Sequence, residues 1–147
     1  MAAIALIRMH AFTNEQKYKQ WAQKTLEAFA GIAPQYGMFA ATYGLAATLF
    51  VHHPVQVVIM GRPNDAAAKA LEAAANSIFR LGKSIMRILP GTTPASLPLA
   101  LRETLPHLPK EKALAIVCAG NTCFPPTSDP QQLQALIMGQ PSSAAAS

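Results

Sequence analysis

The sequence is short of charge. Only 13% of its 147 residues are Asp, Glu, Lys or Arg, while 51% are hydrophobic; an average soluble domain carries about 25% charged residues. So thinly charged a surface wants cover, and the chain is expected either to associate or to belong to something larger. Carboxylates are scarcest, with seven Asp and Glu against twelve Lys and Arg. No pair of the glycosidase acid/base kind stands out, and only Glu103 and Asp129 lie near the C-terminal loops. The resulting net charge of +5 is not a nucleic-acid footprint. The cations are dispersed, as at Lys17, Lys19 and Lys24 or Arg80, Lys83 and Arg87, with no basic run interleaved with aromatics.

Other absences narrow the field further. Two cysteines cannot make a disulfide framework, so free thiols in a reducing, cytoplasmic setting are the default expectation. The histidines, His10, His52, His53 and His107, lack ligand spacing. Neither a metal nor a cofactor is expected. No run reaches the ~18 apolar residues that span a bilayer; the longest, Met38 to Val51, is interrupted by Thr42, Gly44 and Thr48. No membrane association is expected. Residues 1–12 are apolar but carry neither a basic leader region nor a small-residue cleavage site. Dinucleotide, P-loop and Gly-x-Ser-x-Gly signatures are missing as well.

What is present first is helix. Residues 2–12 read as a helix broken only by Arg8 and His10, which must be buried on most sides. Thr13 or Asn14 is the expected N-cap of a second helix. There Tyr18, Trp21, Ala22, Thr25, Leu26 and Phe29 recur at three- and four-residue steps, which assigns Tyr18 and Trp21 to a core. Residues 38–51 read as a third helix, stopped by His52-His53-Pro54.

After Pro54 the period changes. Residues 55–60, 84–89 and 113–118 read as strands, residues 65–79 as an Ala-rich helix and residues 94–108 as a broken one. Asp129-Pro130 opens a final helix to about Met138, and residues 139–147 read as a disordered tail. Strands alternating with helices predict right-handed crossovers and a three-stranded parallel sheet. The expected architecture is therefore αα-hairpin helices over 1–53, a small βαβαβ subdomain over 54–138, and the tail.

The stretch Ala115-Ile-Val-Cys118-Ala-Gly-Asn-Thr-Cys123-Phe-Pro-Pro-Thr-Ser-Asp-Pro130 then carries a family likeness. It resembles the last segment of thioredoxin-domain-containing proteins related to the spermatogenesis-associated thioredoxin-like protein. The resemblance implies a thioredoxin-like domain, an (α/α) barrel of the sugar-epimerase and glycosidase kind, and a small α/β tail. On that reading this chain holds the end of the barrel and the tail. The turn Thr13-Asn14-Glu15, with Tyr18, Leu26 and Phe29 after it, fits the barrel's last hairpin.

Two constellations could carry chemistry. In a parallel sheet ligands sit at the carboxyl ends of the strands, which points to Arg62, Thr92, Gly120, Asn121 and Thr122; against this, Gly and Thr are ordinary loop residues, and Asp65 puts a negative charge near the same helix start as Arg62. Cys118 and Cys123 form the second, with structural thiols, a disulfide or redox pair, and a metal site all open. Their spacing is wrong for a thioredoxin-type motif, which needs two intervening residues. No catalytic residue is assigned. The expected role is a non-catalytic structural or interaction piece whose partner is the remainder of a parent protein or a second copy. The alternatives are tail loops that complete a carbohydrate-active or thiol-redox site in the full-length protein, and a small stand-alone ligand-binding domain.

Overall fold

The computed structural model describes residues 2–52, 54–92, 97, 99–119 and 122–139. It divides into two compact units, Met1–Pro54 and Val55–Ser147.

The first unit is helical: α1 (Ala2–Thr13), α2 (Gln16–Ala30), a 3₁₀ segment (Ala33–Ala40) and α3 (Ala41–Val51). The turn between α1 and α2 is made by Asn14, at φ 55°, a left-handed conformation that Asn tolerates. Neither expected cap residue holds the N-cap position; Glu15 does, without a capping bond from its side chain. The Thr13 hydroxyl instead accepts from the Glu15 N–H at 3.3 Å and donates to the Met9 carbonyl at 2.7 Å. The third helix is shorter than the pattern predicts. Pro34 opens a 3₁₀ turn, Gly37 takes φ 51°, and regular helix begins only at Ala41.

Small residues let these helices approach one another. Ala3, Leu26 and Ala46 form one buried cluster, and Ile7, Ala22 and Leu49 another. Each buried Leu or Ile contributes about 1.5–3 kcal/mol. Trp21 and Phe29 do not join them. They are exposed, contrary to what the helical spacing suggested, and Trp21 packs edge-on to Tyr18 with ring centroids 5.8 Å apart.

The second unit corrects the predicted architecture. It is a mixed four-stranded sheet of order β2-β1-β3-β4, not a three-stranded parallel one, and the chain as a whole is α+β. The strands are β1 (Val55–Met60), β2 (Ser84–Ile88), β3 (Leu114–Ala119) and β4 (Thr122–Cys123); the helices are α4 (Ala66–Ser77), α5 (Leu99–Thr104) and α6 (Pro130–Met138). β1 and β2 are parallel, joined through α4. β3 runs against β1, with Leu114 opposite Met60 and Ala119 opposite Val55. The link from β2 to β3 therefore leaves and re-enters the sheet at the same end. It contains α5, but it does not carry the chain back along the sheet, so the crossover rule does not apply to it.

Both faces of the sheet are covered, which explains why β1 is apolar at nearly every position. On one face Val55, Val57, Ile59, Ala115 and Val117 meet Leu71 of α4 and Leu133 and Ile137 of α6. On the other, Val58, Met60, Ile88 and Ile116 meet Leu97, Leu101 and Leu105. Asp65 caps α4 through the Ala67 N–H at 2.9 Å, and Asp129 caps α6 through the Gln131 N–H at 2.9 Å. After β4 the chain continues along β3 as a strap: the Phe124 N–H donates to the Val117 carbonyl at 2.8 Å, and Ala115 and Thr127 exchange bonds of 2.8 and 2.9 Å. Pro125 and Pro126 lie between them and have no N–H to offer a further strand. Among the described residues no helix is long and apolar enough to cross a membrane.

Candidate functional site

The reversal of β3 separates the loops that a parallel sheet would have gathered. Arg62 follows β1 and Thr92 follows β2, at the end of the sheet where β3 begins. Thr122 sits at the other end, paired with Ala119. Six-residue strands put those ends about 17 Å apart. Gly120 and Asn121 lie outside the described residues. The expected five residues thus do not form one cluster.

At the Arg62 end the polar groups are already engaged. The Asp65 carboxylate occupies the first turn of α4, where an anion would otherwise sit. The Thr92 hydroxyl donates to the Leu89 carbonyl at 2.6 Å. Arg87 clips the loop shut: it pairs with Glu72 at 3.0 Å and donates to the Arg62 carbonyl at 2.7 Å. The Arg62 side chain is exposed. Gly61 is required here by close packing, because a Cβ would lie 2.5 Å from the Ala68 Cβ. Sequence reasoning missed Arg87 as the organiser of this loop. Its place in an otherwise apolar strand was the available signal.

Cys118 and Cys123 are joined in a disulfide, so the expectation of free thiols is corrected. The cause is the hairpin. The two residues stand directly opposite on β3 and β4. The Phe124–Val117 bond next to them makes theirs a non-hydrogen-bonded position, where facing side chains come closest. Cys118 is buried against Val58 and Ile116, while Cys123 is partly exposed. Among the described residues no group of three His, Cys, Asp or Glu side chains is placed to hold a metal ion.

Lys83 has a shifted ionisation. Its ammonium donates to the carbonyls of Ala75 and Ile78 at the C-terminal end of α4. Burial pushes its pKa below the ordinary lysine value. Arg80 similarly donates to the Ile137 carbonyl at the end of α6.

The helical unit contains a feature that the sequence pattern did not reveal. An apolar hollow of about 350 Å³ opens between the helices, lined by Leu26, Phe29, Ile32, Tyr36, Phe39 and Tyr43 among others. The 3₁₀ segment supplies Ala33, Tyr36, Phe39 and Ala40 to its lining. The Tyr43 hydroxyl donates to the Leu26 carbonyl at 3.2 Å and fixes one wall. Phe39, one of the residues lining the hollow, is 87% exposed, and the adjacent Met38 is 83% exposed. Comparison of the chain with protein-family models, with curated proteins and with solved structures finds no match in any of the three.

Proposed function

We propose that the chain is a non-catalytic interaction piece, as the C-terminal portion of a thioredoxin-domain-containing, barrel-bearing protein would be. Its helical unit presents an apolar surface to further helices, and its sheet unit serves as a stable appendage. One observation carries this reading: the exposed Met38 and Phe39 at a hollow walled by aromatic rings. Exposed apolar side chains at an apolar hollow mark an interaction site.

Light scattering after size exclusion, combined with a dye that binds apolar surface, tests the proposal. Association or strong dye binding, reduced in the Met38→Ser/Phe39→Ser variant, is the expected result. A monomer that binds no dye overturns it.

The bonded Cys118–Cys123 pair favours a second reading, in which the hairpin contributes to a thiol-redox site of a longer protein. Loss of Cys118 and Cys123 without loss of activity in the intact protein would remove that reading. The pair also weighs against the cytoplasmic setting, because disulfides persist mainly in oxidising compartments. Thiol trapping at the moment of cell lysis decides between the two settings: alkylated cysteines support the cytoplasm, and blocked ones exclude it.

A further inference from the structure

The two members of the Cys118–Cys123 pair stand in different surroundings. Cys118 is 3% exposed and belongs to the apolar cluster of Val58, Ile116 and Leu101. Cys123 lies on β4, the last strand of the sheet, and solvent reaches part of it. A thiolate arriving from solvent therefore meets Cys123 and is kept from Cys118. Burial in apolar surroundings also makes Cys118 the poorer thiolate, which slows its departure as a leaving group. That opens no path to Cys118, so access decides which sulfur is attacked.

The surrounding structure does not depend on the bond. The Phe124 N–H donates to the Val117 carbonyl beside the pair, and Ala115 and Thr127 exchange two further bonds along the strap. β3 keeps its ladder with β1 over all six residues. The ring over residues 118–123 is short, so the bond restricts the unfolded chain little. By the same equilibrium, the fold holds the bond only weakly. Exposed disulfides belong to the labile class.

Building on the second reading above, we infer that Cys123 is a thiol–disulfide exchange site, where an external dithiol opens the pair while the sheet stays intact. One thiolate of the dithiol attacks the Cys123 Sγ. A new S–S bond forms, the Cys118–Cys123 bond breaks, and its electron pair leaves on the Cys118 Sγ, which takes a proton from water. The second thiolate of the dithiol then attacks its partner sulfur in the mixed disulfide and releases Cys123 as a thiolate. The protein gains two electrons, and the reductant leaves as a cyclic disulfide. The reverse steps, with a disulfide as oxidant, close the pair. Cys118 stands directly opposite Cys123 on β3, so it is the resolving thiol that expels a monothiol bound there.

Glutathione on the full chain tests this. The oxidised chain is incubated with reduced glutathione, quenched with acid and mapped by mass spectrometry. Glutathione is expected on Cys123 in roughly tenfold or greater excess over Cys118. The far-ultraviolet spectrum of the fully reduced chain should match that of the oxidised one. Urea, by unfolding the chain, should bring the two cysteines toward equal labelling. Cys118→Ser lacks the resolving thiol and should retain glutathione on Cys123 after exposure to oxidised glutathione, while Cys123→Ser takes it up about tenfold more slowly. The wild-type map decides if either variant fails to fold. Glutathione mainly on Cys118, equal labelling without urea, or a bond that opens only on unfolding overturns the inference. Exchange at Cys123 together with full activity of the cysteine-free intact protein removes the second reading and leaves the exchange site in place.

Discussion

Single side chains settle several of the tightest points. At Gly61 a methyl group would meet the Ala68 Cβ at 2.5 Å and the Ala113 Cβ at 3.5 Å. Neither neighbour has a flexible end to swing away. Gly61→Ala is expected to cost about 1–3 kcal/mol in urea unfolding, the usual penalty for overpacking; a loss below the error of the measurement would mean that α4 moves aside freely. Lys83 gives a pH signature. Its folded pKa is lowered, so between that value and about 10.4 the unfolded chain holds more protons than the folded one. Its contribution to stability therefore rises with pH through that window and is flat below it. A neutral amine still has two N–H groups for the carbonyls of Ala75 and Ile78. The stability difference between wild type and Lys83→Met should shift in favour of wild type as pH climbs through that window.

Elements were legible where local signals are strong. The three long strands appear within a residue or so of their expected positions, because each is a short, mostly apolar run bounded by Pro, Gly or Lys. α6 was readable from Asp129-Pro130, and its cap is the one expected. Asp129→Ala should cost about 0.5–2 kcal/mol, and Asp65→Ala a similar amount, in denaturant titrations. Direction was not legible. Nothing local in residues 114–119 says whether β3 runs with or against β1, since a strand buried on both faces has the same composition either way. β4 was invisible because it is only two residues long. The disulfide follows from it, as the cysteines face each other only once Thr122 and Cys123 fold back. The candidate ligand loops depended on the missing direction, and they dispersed when it changed. The bond closes a loop of only six residues, 118–123. Chain entropy then limits its contribution to about 2 kcal/mol, and the strap bonds at Val117 and Ala115 persist without it. Reduction should lower stability by no more than that, with the far-ultraviolet spectrum unchanged.

At the scale of the molecule, the thin charge of the sequence has a structural counterpart. Low charge predicted surface that wants cover, and in the helical unit Trp21, Phe29, Met38 and Phe39 are exposed. The 3₁₀ interruption was not readable as a hollow, because Pro34 and Gly37 say only that the helix breaks, not what is left beside the break. Replacing Met38 and Phe39 with Ser should reduce dye binding while leaving the unfolding midpoint nearly unchanged, since both side chains are more than 80% exposed. A large loss of stability would instead place them in the core. The proline-bearing strap along β3 sets a limit of another kind. With that margin stoppered, a further strand can be added only at β2, so copies cannot stack edge to edge without limit through this sheet.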